Sequence, residues 1–300
     1  MKAVFITTQT NDVDGVISPW DSFNEPHTRV TFNHMAKVDN ERIVREVAES
    51  APQVIFYIGS VGPGLPSTDC LRKLREIAPS IHICFDGVER DWHPLVEGYR
   101  ADGCFNLQVT IDGAHSAPVD LVTTAPVDPR AFEGEAPLRD IRCGCSGNIG
   151  LTGPAHDIPC DPRGFILYPL MKYDLVTFRQ RVVTGGAKSY PAHVNFMRRC
   201  KMIINTSFSG SGLAHHLKQR VIESAFAGCA HLEDEESPIA KWFPKDCYFL
   251  YRDAWRAGEF IRSVSEKEMA ESGRLREAYA RKHYTPEKVY GEMIARAGLQ

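Results

Sequence analysis

The stretch from Asn205 to Glu233 holds the residues best suited to chemistry. It reads NTSFSGSGLAHHLKQRVIESAFAGCAHLE. A short apolar run, KMIIN, precedes it and predicts a strand. The glycine loop SFSGSG follows, then Leu213, Leu217, Val221 and Ala225 at spacing four, which predicts one apolar face of a helix. Gly228 stands where such a helix closes, in a left-handed conformation that needs no Cβ. AHLE reads as the next strand. A glycine loop between a strand and a helix lets backbone approach a ligand closely, and a helix N-terminus attracts anions. The chemistry this predicts is diphosphate binding at Ser209, Gly210, Ser211 and Gly212, with Lys218 and Arg220 as nearby cations. Arg220 either faces the phosphates or pairs with Glu223 three residues on.

The run RVIESAFAGCAHLED resembles the donor-holding element of GT-B glycosyltransferases, of the group 1-like kind. Glu223, Ala225, Ala227 and Gly228 fit its glutamate before a small-residue helix face. In that family the glutamate bonds the ribose hydroxyls and the glycine loop faces the diphosphate. The resemblance thus implies a nucleoside-diphosphate sugar as co-substrate, a UDP-sugar by default, with no metal ion or other cofactor. Retaining members often carry an acid where this chain has His215, so the stereochemical outcome stays open. His215 and His216 are expected in the first helical turn. His215 is the candidate to donate to the leaving group or sugar, and His216 reads as an ordinary polar residue.

The elements that must position these residues alternate between strand and helix. In the first half, AVFIT, TRVTFNH, APQVIFYIG, SIHICFD, CFNLQVTID and DLVTTAPVD read as strands. NERIVREVAES, with Asn40 as N-cap, and STDCLRKLREIA, capped by Ser67 or Thr68, read as helices. Nearly unbroken apolar strands alternating with helices predict a parallel sheet covered on both faces. Asp12 and Asp14 fall in the loop after the first strand, at the carboxyl edge where ligands bind. They are acceptor-side candidates. Their D-x-D spacing is shared by metal sites and by ordinary solvated loops. Asp86, at the end of its strand, is the candidate base for the acceptor proton, with Glu89 and Asp91 in the same loop. Gly59, Gly62 and Gly64 lack dinucleotide spacing and are interrupted by prolines 63 and 66.

APVDPRAF resembles the segment that ends the first domain of GT-B enzymes, and EGEAPLRD reads as a linker. The expected domains are 1–138, an acceptor domain, and 139–300, a nucleotide-sugar domain. The expected fold class is α/β, with two Rossmann-like domains (GT-B) facing across a cleft and C-terminal helices crossing back. IRCGCSGNIG opens the second domain, with Ser146, Gly147 and Asn148 in a loop under the donor phosphates. Arg163 opens a helix and is a candidate to neutralise the diphosphate. YDLVTFR reads as a strand and SYPAHVNFMRRC as a helix. SPIAKWF reads as a short helix, CYFLYRD as a strand, and Trp255–Gly273 and Arg274–Leu299 as helices.

The 300 residues suffice for two cores, and a net charge of −3 gives no global drive towards nucleic acid or anionic membrane. No apolar run has membrane-spanning length and the first residues do not read as a signal peptide, so a cytoplasmic location is expected. The nine cysteines read as reduced core thiols; Cys143, Cys145, His156 and Cys160 lack the spacing of structural zinc sites. A nicotinamide oxidoreductase would need a glycine fingerprint after the first strand, and TTQTNDVDG is not one. A sugar-nucleotide epimerase and a non-catalytic nucleotide-sugar binding protein remain alternatives. The acceptor is open: glycan, small molecule or protein. Nucleic acid would require Arg179, Arg181, Lys188, Arg198 and Arg199 to form one patch.

Overall fold

The structure is a computed structural model. It describes residues 1–8, 22–59, 63–85, 87–114, 118–147, 151–152, 158–180, 190–209, 212 and 214–299. The chain divides into two compact units, Met1–Pro126 with Pro286–Gln300, and Val127–Thr285.

The first unit carries strands β1 (Ala3–Thr8), β2 (His27–Phe32), β3 (Val54–Ile58), β4 (Ser80–Cys84), β5 (Leu107–Thr110) and β6 (Leu121–Val122). Its helices are α1 (Asn40–Ser50), α2 (Thr68–Ile77) and α3 (His93–Ala101). The strands form a parallel sheet in the order β2-β1-β3-β4-β5-β6. Alternate residues of β1 feed two cores. Val4 and Ile6 pack with Ile43, Val47, Leu71 and Leu74 of α1 and α2. Ala3 and Phe5 pack with Val289, Tyr290 and Met293 of the C-terminal helix. A strand buried on both faces is mostly apolar, which is why β1, β3 and β4 read so clearly as sequence even though Thr7, Thr8, Ser80 and His82 are buried in them.

In the second unit the strands are β7 (Ile141–Gly147), β8 (Leu151–Thr152), β9 (Ile158–Pro159), β10 (Thr177–Gln180), β11 (Cys200–Ile204), β12 (Ala230–Asp234) and β13 (Phe249–Tyr251). Its helices are α4 (Pro162–Lys172), α5 (Tyr190–Arg199), α6 (Gln219–Phe226), α7 (Ala254–Ser263) and α8 (Glu266–His283); α9 (Pro286–Arg296) belongs to the first unit. The parallel sheet runs β10-β7-β11-β12-β13, and β8 pairs with β9 alone. Cys143 and Cys145 point into the core beneath α4 and α7, whereas Cys160 is exposed. His156 lies outside the described residues. Among the described residues no helix is long and apolar enough to cross a membrane.

Several local expectations change. Asp39, not Asn40, caps α1, accepting from the Arg42 amide at 2.9 Å. Helix α3 escaped the sequence reading because Pro94 and Gly98 weaken its pattern, although proline is well suited to a first helical turn. The two expected C-terminal helices are three. Ser265 and Glu268 form a capping box that starts α8, so the break precedes the expected one. Gly273 is not a break but lies inside α8, where a Cβ would stand 2.4 Å from the Gly228 carbonyl oxygen. It is a contact glycine that lets α8 pack close against the turn into β12.

Candidate functional site

Sheet order directs attention to one edge. In the second unit β7 lies between β10 and β11, so successive connections leave it in opposite directions. The crevice outside the carboxyl ends of β7 and β11 is therefore a topological switch point, the usual binding place in such sheets. β7 ends there at Ser146 and Gly147, and β11 runs there into Asn205, Thr206 and Ser207. Gly147 has φ +113°, and a Cβ would meet the Arg220 guanidinium at 2.3 Å. Only glycine serves both demands.

Lys218 and Arg220 flank the start of α6, whose N-cap position, Lys218, makes no side-chain capping bond. Neither has a hydrogen-bond or ion-pair partner among the described residues. Burial and the neighbouring charges of Arg220 and Arg163 push the Lys218 amine down to about 7. Burial likewise lowers the Arg220 guanidinium. The charges of Glu233 and Glu223 offset this only in part, and two crowded cations that make no direct ion pair favour an entering anion. Arg163, the third, is already held by Asp161, which accepts its Nε at 2.8 Å and caps α4 through the Gly164 amide. Gly212, at φ +73°, packs over Pro162, drawing the loop after β11 towards the start of α4.

Glu223 lies in the second turn of α6 and is 4% exposed. Its Oε1 accepts from Gln219 at 3.0 Å, and its Oε2 meets His193 Nε2 of α5 at 3.1 Å. Burial alone would raise this carboxyl, but His193, Gln219 and Arg220 outweigh burial and hold it below the ordinary range. Gly228 closes α6 with φ +66°. The Gly228 amide bonds the Ala225 carbonyl and the Cys229 amide the Ser224 carbonyl, a Schellman closure.

Known proteins of similar structure exist despite low sequence identity. HepE from Anabaena, solved with UDP and glucose, is 10% identical and aligns over 99% of each chain with a TM-score of 0.62. It has also been solved with UDP-glucose. A glycosyltransferase from Rickettsia africae is 8% identical over 98% of each chain, TM-score 0.58. The N-terminal domain of a trehalose-6-phosphate phosphatase from Candida albicans is 8% identical, TM-score 0.61, over 98% of this chain and 97% of that one. No protein-family model and no curated protein sequence matches the chain. The fold is GT-B. A GT-B fold carries more than one activity, so function must be argued from the site.

Within the GT-B scaffold, the structure gathers Ser146, Gly147, Arg163, Lys218, Arg220 and Glu223 in the second unit around the carboxyl ends of its strands and the start of α6. Asp12, Asp14, Asp86, Asn148, Gly210 and Ser211 lie outside the described residues, as does Leu213. The helix expected from Leu213 begins only at Gln219. His215 and His216 are thus not in a first helical turn. The loop folds back on itself instead: the Ser209 amide bonds Ala214 O at 2.7 Å, the His216 amide bonds Ser207 O at 2.9 Å, and Phe208 bridges His215. The Gly212 amide is also taken, by Ser209 O at 3.1 Å. The Ser207, Ser209, Gly212, Ala214 and His216 amides are thus already bonded, and the positive charge at this edge comes from the Lys218 and Arg220 side chains. Arg220 leans on Gly147 and makes no ion pair with Glu223, whose partner is His193.

Sequence reasoning missed His193, Gln219, Asn205, Ser207, Glu233 and Asp234. Glu233 is wholly buried, accepts from Asn205 Nδ2 at 2.8 Å and meets His231 Nε2 at 2.9 Å. Burial raises its carboxyl, and burial with the Glu233 charge raises that of Asp234. The position of Glu233 and Asp234 at the carboxyl end of a core strand was a readable signal. His193, thirty residues before Glu223, left none.

Proposed function

We propose that this protein is a glycosyltransferase that moves a sugar from a nucleoside-diphosphate sugar to an acceptor hydroxyl. The observation that carries the reading is the pair of crowded cations without a direct ion-pair partner, Lys218 and Arg220, the latter set against Gly147 at the switch point of the second sheet. The structures of HepE with UDP and UDP-glucose support the same ligand class. Lys218, Arg220 and Arg163 hold the diphosphate, and Glu223 accepts from the ribose hydroxyls with the oxygen capacity that Gln219 and His193 leave free. Departure of the diphosphate builds negative charge, which fixed cations stabilise in place of a metal ion. His215, with its exposed edge beside this loop, addresses the transferred sugar. The second unit is the donor domain and the first the acceptor domain, where Asp86, Asp12 or Asp14 takes the acceptor proton.

The test is a thermal-shift screen of nucleoside diphosphates and their sugars without added metal. A ligand at ~100 times its dissociation constant adds about 2.7 kcal/mol of stability. The expected outcome is a rise in Tm with one nucleotide family, reduced in Lys218→Met and Glu223→Ala. No shift with any nucleotide sugar at millimolar concentration refutes the reading. Hydrolysis of a bound donor would separate a transferase from a binding protein, and conversion of its sugar without an acceptor would indicate an epimerase.

A further inference from the structure

The environment of His215 specifies more than its position. Its Nδ1 lies 2.6 Å from Ser207 Oγ and 3.3 Å from Asp234 Oδ1. Ser207 donates twice to Asp234: its hydroxyl to Oδ1 at 2.7 Å and its backbone amide to Oδ2. A carboxylate only accepts, and a hydroxyl has one proton. Once that proton points at Asp234, Ser207 Oγ can only accept from the imidazole. The nitrogen facing it must then carry hydrogen. The other nitrogen, Nε2, has no partner among the described residues. The side chain is 27% exposed, and the Phe208 ring, 4.5 Å between centroids, limits how far it can turn.

We infer that Ser207 and Asp234 are positioning residues that hold His215 with its proton on Nδ1, so that Nε2 meets the ligand as an acceptor for a sugar hydroxyl. The identity of the ligand rests on the glycosyl-transfer reading; the tautomer does not. Neither Ser207 nor Asp234 touches the sugar. Their part resembles that of any carboxylate that orients a functional imidazole, where the amide variant keeps the shape and selects the wrong tautomer. Asp234→Asn does this here. Its amide group would donate to Ser207 Oγ, the hydroxyl would donate to Nδ1, and the proton would move to Nε2.

Long-range proton–nitrogen NMR on the nitrogen-15-labelled whole protein reads the tautomer directly, with His215→Gln assigning the signals. Measured in mildly alkaline buffer, the parent should show Nδ1 protonated and Nε2 bare, and Asp234→Asn should show the reverse. Hydrolysis of the donor sugar nucleotide should fall about 100-fold or more in Asp234→Asn while its KM stays within about threefold. A parent His215 protonated on Nε2, or exchanging evenly between tautomers, overturns the inference even if Asp234→Asn fails to fold. So does an unchanged tautomer in a folded Asp234→Asn. Ser207→Ala gives a second reading. Loss of the shared hydroxyl should raise the Nε2-protonated fraction, and no change would count against Ser207. If no nucleotide sugar raises the melting temperature but the NMR pattern holds, the glycosyl-transfer reading fails and the assignment of the sugar hydroxyl fails with it, while the positioning by Ser207 and Asp234 stands.

Discussion

Lys218 provides a quantitative test, because its amine in the free protein is set near 7 by burial and by Arg220 and Arg163. A diphosphate beside it would restore the ordinary lysine range, about 10.4. At about pH 8 a group near 7 is roughly nine-tenths deprotonated, so binding should take up about 0.9 proton. At about pH 6 the uptake should fall to about 0.1. The two phosphates of a sugar nucleotide lack the proton that a phosphate monoester loses near about pH 6, so the ligand contributes none. The dissociation constant should weaken about tenfold between those two conditions, about 1.4 kcal/mol. Calorimetry of UDP-glucose in HEPES, Tricine and Tris reads the uptake as dependence of the binding enthalpy on buffer ionisation. Lys218→Met should abolish that dependence. The sign for stability runs oppositely. Above pH 7 the unfolded chain keeps a lysine proton that the folded one has lost, so this group makes stability rise with pH up to about 10.4. Lys218→Met should therefore raise the Tm of ligand-free protein by several degrees at about pH 6, a gain that fades as pH approaches about 10. Identical enthalpies in all three buffers, or the same proton uptake in Lys218→Met, would refute this account.

Glu223→Ala should weaken UDP at least about tenfold while leaving inorganic pyrophosphate almost unaffected, since the lost contact is to ribose; equal losses for both ligands would place the glutamate elsewhere. Gly273→Ala should destabilise by about 1–3 kcal/mol, because the new methyl group meets the Gly228 carbonyl in a packed contact, and a melting curve checks it. Among the nine thiols, Cys160 alone is exposed in the structure; a thiol reagent should label it rapidly in the native protein and the other eight only after unfolding. Rapid labelling of several native cysteines would contradict the packing of α2, β4, β7 and β11, which bury most of them.

How much was legible from the chain follows from where its information is stored. Strands buried on both faces are largely apolar, so β1, β3, β4 and β11 announced themselves, and with them the alternating α/β order. The glycine loop, the cations and Glu223 stood out as candidates for a related reason: an anion site would need specific residue types close together in sequence. The start of α6 was not. Leu213, Leu217, Val221 and Ala225 have helical spacing, yet the Ser207–His216 and Ser209–Ala214 backbone bonds hold the preceding segment as a folded-back loop. Local periodicity cannot weigh those bonds against one helical turn.

The sequence by itself determined the two-sheet α/β class and raised the expectation of an anionic ligand, because periodicity and residue type are local properties. Only the tertiary structure decided what each side chain faces. It placed His193 against Glu223, set Arg220 against Gly147, and linked His215 to Asp234 through Ser207. Those contacts join residues from separate strands, helices and loops. They exist because parallel strands bring their carboxyl ends to one edge whatever their separation along the chain.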